Sequence, residues 1–204
     1  MPWFFGKWTV TDAKDTRRVR AARLSREARA EQLQAAALRV LAENGIGHTN
    51  HSLVAAAAGV SVPTVFFYYR THAELTCLVL DNVAAQILDE IVRPGADRAD
   101  PAEAIEWMLL RFAAFIDEDR DSARVWLDWS TAIRSETWPR YLTFLSTARQ
   151  LIAGMIQGNV ELADVIIGLA HMTGHMKFTH VSDDVVARTI HRLVDGYLAS
   201  SPDA

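Results

Sequence analysis

Apolar residues return every three or four positions along most of the chain, and no stretch shows the two-residue alternation of a half-buried strand. From Arg26, Leu33, Ala36, Ala37, Val40 and Leu41 make one helical stripe, with Ser25 placed to cap its start and Gly45 to stop it. Gly45-Ile46-Gly47 then predicts a turn. A second, short helix follows, capped by Asn50 or Ser52 and ending near Ala58. Gly59 permits a sharp reversal, and Ser61 with Pro63 in the first turn predicts a third helix. On that helix Val65, Phe66 and Tyr69 are expected inward, and Pro63, Thr64, Phe67 and Tyr68 outward.

A longer helix is expected over residues 73–92, stopped by Arg93-Pro94-Gly95. Beyond it the helical period resumes from Pro101, from Asp121 or Ser122, after Ser135, over about 161–179 and from Asp183 to Ser200. The fold expected is all-α, with about nine helices. Residues 25–72 form a helix-turn-helix domain behind a basic arm over 1–24. A larger helical domain is expected over 73–204.

Short helix, glycine turn and hydroxyl- and aromatic-bearing second helix over residues 49–69 are the ingredients of a helix-turn-helix, whose second helix enters the DNA major groove. A formal charge of −4 argues superficially against nucleic acid. Its distribution reverses that. Lys7, Lys14, Arg17, Arg18, Arg20, Arg23, Arg26 and Arg29 face only Asp12, Asp15 and Glu27 in the first thirty residues, a net of +5 that leaves −9 for the rest. A basic end on an acidic body suits a phosphate-seeking arm, and a solvated tail is the plainer alternative.

Ser61, Thr64, Tyr68 and Tyr69 offer donors to phosphates or base edges, and Thr64 and Phe67 offer apolar surface to thymine methyls. His72, at the start of the next helix, is a candidate phosphate contact or a helix cap. Arginines in the arm suit a narrow minor groove.

Other chemistries find little support. His171 and His175 stand four apart but lack a third ligand, so no metal site is expected. The chain carries no GxSxG, Walker or Rossmann glycine pattern, which argues against an enzyme, and no cofactor is expected. Asp117, Glu118, Asp119 and Asp121 read as a charged loop. Cys77, the lone cysteine, reads as packed rather than nucleophilic. The absence of a signal-like start, of a membrane-length apolar run and of paired cysteines leads to a cytoplasmic expectation. Trp126, Trp129 and Trp138, near Met108, Phe112, Phe115 and Met172, either line an apolar cavity or fill a solid core.

The pattern Gly45, Thr49, Val54-Ala55, Ala58-Gly59-Val60-Ser61, Thr64, Tyr68 and Leu75 resembles the TetR family of transcriptional regulators. Arg23-Leu24-Ser25, Gln32-Leu33, His51, Thr64-Val65-Phe66, Val125-Trp126, Trp129-Ser130, Arg134 and Trp138-Pro139 look like its LuxR/HapR/SmcR branch, the quorum-sensing master regulators of vibrios. The likeness runs over about residues 23–155.

The resemblance implies a homodimer binding a near-palindromic duplex. Arg20, Arg23, Thr49, Ser61, Pro63, Thr64, Phe67, Tyr68 and His72 would meet DNA. Leu162, Val165, Ile166, Leu169, Ile190, Leu193 and Tyr197 would build a four-helix dimer bundle. A cavity for a small apolar ligand would be lined by Ile91, Met108, Phe112, Trp126, Trp129, Leu145, Arg149 and Met172.

Departures from the branch are Phe67 for a DNA-reading asparagine, Leu145 and Arg149 for polar residues near the cavity, and a shortened segment between Gly158 and Glu161. His72 stands where the wider family has lysine. Phe67, His72 and the acidic body motivate an alternative, a helical ligand- or partner-binding protein whose DNA binding has lapsed.

Overall fold

The N-terminal helix starts and stops where its polar ends dictate. In the computed structural model, which describes residues 24–200, α1 spans Arg26–Asn44. Ser25 Oγ accepts the Ala28 N–H at 3.1 Å, and Gly45, at φ 82°, closes the helix. Leu33, Ala36, Ala37, Val40 and Leu41 turn inward as their spacing requires. A 3-10 turn over Ile46–His48 leads to α2 (His51–Ala58), capped by the Asn50 side-chain oxygen Oδ1, which accepts the Ser52 and Leu53 N–H groups. Gly59, at φ 64°, turns the chain into α3 (Val62–Tyr68). The arm, with Arg20 and Arg23, lies outside the described residues apart from Leu24.

Next comes α4 (His72–Ile87), which does not stop before Arg93-Pro94-Gly95 as expected. It runs on through a π-helical turn, Leu88–Val92, into one more α-turn, Arg93–Ala96. The Arg93 N–H reaches back to the Leu88 carbonyl, so the widened turn accommodates the ladder just ahead of Pro94, which has no N–H to give. Gly95 is buried here. A Cβ on it would stand 2.1 Å from Met108 Cγ and 2.6 Å from the sulfur, so Met108 would have to leave its place. Gly95→Ala is therefore expected to destabilise the protein by about 1–3 kcal/mol, the usual cost of overpacking. Denaturant unfolding measures this, and Gly154→Ala, which meets nothing within 4 Å, serves as the control.

The remaining helices are α5 (Pro101–Glu118), α6 (Arg120–Thr131), α7 (Trp138–Met155), α8 (Val160–Phe178) and α9 (Asp183–Ser200). With the 72–96 stretch counted once, nine helices and no strand stand among the described residues, an all-α fold as expected.

The run from Asp117 to Asp121 is not a loop. Asp117 and Glu118 finish α5, and Asp119 caps α6 by accepting the Ser122 N–H at 3.0 Å. Asp117 and Asp183 both pair with Lys177. Burial pulls the Lys177 pKa down, but these two carboxylates outweigh it and raise the value above the ordinary lysine range.

One apolar core runs through the whole described chain. It is α6 that joins the small N-terminal helices to the body, packing against α1 and α4 on one side and α5, α7 and α8 on the other. Among the described residues no single helix is long and apolar enough to cross a membrane.

Candidate nucleic-acid interface

Two short helices can present a side chain to a groove only if the first is anchored behind the second. Here α2 packs on α1, and the axes of α2 and α3 turn through 107°, within the helix-turn-helix range. Gln32 donates to the Ala58 carbonyl at 2.8 Å, fixing the end of α2 to α1. At the far end of α3, the buried His51 ring donates from Nε2 to the Tyr69 carbonyl at 2.9 Å, and Gln34 donates to the Tyr69 hydroxyl at 3.2 Å.

The inner face of α3 is Val65 and Tyr69, both buried. Phe66 corrects the sequence expectation. It is 48% exposed and stacks flat on His51, with ring centroids 4.1 Å apart and planes 6° apart. In a helix of two turns the i, i+4 pair Val65 and Tyr69 occupies the core-facing stripe, so Phe66, about 100° away, lies along the rim. Phe67 is 71% exposed, and Ser61 and Pro63 are also exposed. Thr64 and Tyr68 are half-buried. The Ser61 and Thr64 hydroxyls pair with each other at 2.8 Å.

Thr49 does not belong to this face. It is buried and donates its hydroxyl to the Gly45 carbonyl at 3.1 Å, so its role is to close the turn after α1. His72 opens α4 but is turned along it, with Nε2 3.2 Å from Thr76 Oγ1. Burial and the neighbouring His51 hold its pKa below the ordinary histidine value, which works against a charged phosphate contact. At the start of α4 the Thr71 hydroxyl accepts the Glu74 N–H at 3.1 Å, and the Glu74 carboxylate accepts the Arg70 N–H at 2.9 Å.

In the body, an apolar cavity of about 50 Å³ lies between the 72–96 helix, α5, α6, α7 and α8. Ile91, Met108, Phe112, Trp126 and Leu145 line it, together with Phe144, Ala148, Ile152, Ile166 and Ala170. Trp129, Arg149 and Met172 are not among its lining residues. Trp129 is fully buried, with its indole N–H on the Thr137 carbonyl; Arg149 reaches outward to Asp164 at 2.6 Å; Met172 is half-buried. Trp126 is buried, its N–H has no partner among the described residues, and its ring lies 4.4 Å from that of His171.

The expected dimer residues divide. Leu162, Ile166 and Ile190 are buried within the described chain, Leu169 is half-buried, and Val165 and Leu193 are exposed. α8 and α9 pack on α5 as well as on each other, and this turns half of their apolar positions inward. The side chain of Tyr197 lies outside the described part.

One functional contact had no signal in the sequence. Asp128, on α6, accepts the Ile46 N–H at 2.9 Å across 82 residues. It is two positions from Trp126, so one helix touches both the cavity and the base of the helix-turn-helix.

A family model described as bacterial regulatory proteins, tetR family, matches residues 33–76. The chain is 33% identical over 147 residues to the HTH-type transcriptional regulator LuxR of Vibrio harveyi, covering 70% of each. Its fold resembles a TetR-like transcriptional regulator from Rhodococcus sp. RHA1, with TM-score 0.69, 21% identity, and 88% of this chain and 100% of that one covered. It also resembles FadR of Bacillus subtilis in complex with stearoyl-CoA, with TM-score 0.66, 19% identity, and coverage of 81% and 97%.

Proposed function

The chain belongs to the TetR family of transcriptional regulators, and from that premise we propose that it acts as a homodimer on a near-palindromic operator, each α3 entering a major groove. The observation that carries this is the pose of α3: inner face locked by Val65 and Tyr69, outer face presenting Pro63 and Phe67. Ser61, Thr64 and Tyr68 flank that face, and Arg20 and Arg23 supply minor-groove contacts. Paired heads read half-sites about one helical turn apart.

Dimerisation uses α8 and α9, through Val165, Leu193 and the accessible part of Leu169. The division of labour follows the chain: arm over 1–24, DNA-binding helices over 25–72, effector and dimer body over 73–204. The protein regulates rather than catalyses, works in the cytoplasm, and takes its place in density-dependent signalling as its LuxR relative suggests. Its effector is a small apolar molecule seated beside Trp126. A cavity of about 50 Å³ admits only a few heavy atoms, so a larger effector must part its walls. Such movement of α6 reaches the head through Asp128 and Ile46. By linkage, DNA binding then alters effector affinity by the same factor.

The test begins with duplexes selected by the protein from random DNA. Thr64→Ala with Tyr68→Ala is expected to weaken the selected operator at least tenfold, because hydrogen bonds from such hydroxyls to charged phosphates are each worth about 1.5–3 kcal/mol. Binding should also fall steeply with salt. Absence of affinity at low salt with the arm intact would sink the reading. An undiminished affinity in the double variant would favour lapsed DNA recognition instead.

A further inference from the structure

A reading helix normally earns base specificity through side chains that make paired hydrogen bonds: Arg or Lys on guanine, Asn or Gln on adenine, a carboxylate on cytosine. α3 has none. Its seven residues, Val-Pro-Thr-Val-Phe-Phe-Tyr, include no guanidinium, ammonium, amide or carboxylate. The hydroxyls nearest its start, Ser61 and Thr64, are bonded to each other. What α3 turns outward instead is apolar, with Phe67 71% exposed and Pro63 one turn before it.

The Phe67 ring is not loosely placed. Tyr68 meets it edge-on at 5.4 Å and 79°, while the neighbouring Phe66 is stacked on the buried His51. Among major-groove base edges only thymine offers an apolar group, the C5-methyl.

We infer that this chain reads its operator through thymine methyl groups packed on Phe67 and Pro63, in place of hydrogen-bonded base readout by α3. Each half-site therefore carries a T·A pair under the middle of α3. The inference rests on the DNA-binding reading above and specifies how the same surface discriminates. An exposed aromatic is stabilised on binding by the apolar area it loses to the methyl.

Uracil tests it directly, since it pairs as thymine does and lacks only the methyl. The operator selected by the full-length protein is synthesised with uracil at the thymines facing α3. Loss of one methyl contact per half-site should weaken binding about fourfold each, about 15-fold for the two together. In Phe67→Ala the thymine operator should bind more weakly and uracil should cost nothing further. The thermal midpoint of that variant should match the parent, because the ring is exposed. Selected operators without thymine at that position overturn the inference, as does equal binding of the thymine and uracil forms. Retention of no duplex at all in the selection is a different result, and it removes the DNA-binding reading along with this one.

Discussion

Trp129→Ala is expected to destabilise the protein by about 3–5 kcal/mol, the range for deleting a large aromatic from a packed core. Trp129 is fully buried in α6, with Tyr141 and Phe144 centroids 5.4 and 6.2 Å from its ring and its N–H on the Thr137 carbonyl at 3.2 Å. Thr137 immediately precedes α7, so the indole ties α6 to the start of the next helix. Removing it opens a cavity at a helix that packs against both the head and the body.

Trp126, three residues earlier, provides the contrast. Its N–H has no partner among the described residues, and its ring borders an existing cavity. Trp126→Phe gives up no hydrogen bond, and its cost should stay below about 1.5 kcal/mol. Denaturant midpoints for the two variants decide the matter. A Trp129→Ala loss below about 1 kcal/mol would show that α6 is held by something other than this aromatic cluster.

That contrast also marks where the sequence stops being informative. Both tryptophans lie on the apolar stripe of α6, and the 3.6-residue period places them on adjacent parts of it. Which one packs solidly and which borders a void depends on Phe144, Leu145 and Ile166, supplied from elsewhere in the chain. Local signals served well where the physics is local. Ser25, Asn50, Gly45 and Gly59 marked helix ends because capping and positive φ are decided within three or four residues. Phe66 misled because three large apolar residues compete for one narrow stripe of a two-turn helix, and His51 offered the loser a stacking partner. Pro94 misled because a π-turn can absorb a proline that usually ends a helix. Asp128 and Ile46 were invisible, since nothing in either neighbourhood announces a partner 82 residues away. For the cavity, Ile91, Met108, Phe112, Trp126 and Leu145 were legible, whereas Trp129 and Met172 fall outside its lining and the outward turn of Arg149 depended on Asp164 in α8.

On the proposed DNA-binding function the arm is expected to govern affinity, and its arginines should show it most strongly. Residues 25–72 carry Arg26, Arg29, Arg39 and Arg70 against Glu27, Glu31 and Glu43, with no lysine, so the head itself attracts phosphate only weakly. Residues 1–23 hold Lys7, Lys14, Arg17, Arg18, Arg20 and Arg23 against two aspartates. Replacing Arg20 and Arg23 by alanine removes four cations from a dimer. If all four meet phosphates, log affinity against log salt should become shallower by about 3.6, at roughly 0.9 per phosphate. Near 0.15 M salt this corresponds to a loss on the order of 100- to 1000-fold, shrinking toward nothing as salt approaches 1 M. Because these residues hold affinity while α3 holds the reading face, the variant should keep its order of preference among operators that differ under Phe67. Arginines lying in a narrow minor groove would add a preference for A·T-rich flanks that disappears with them. Equal salt slopes for the parent and the variant would show that phosphate attraction comes from another surface, and would leave the apolar face of α3 without the electrostatic partner it needs.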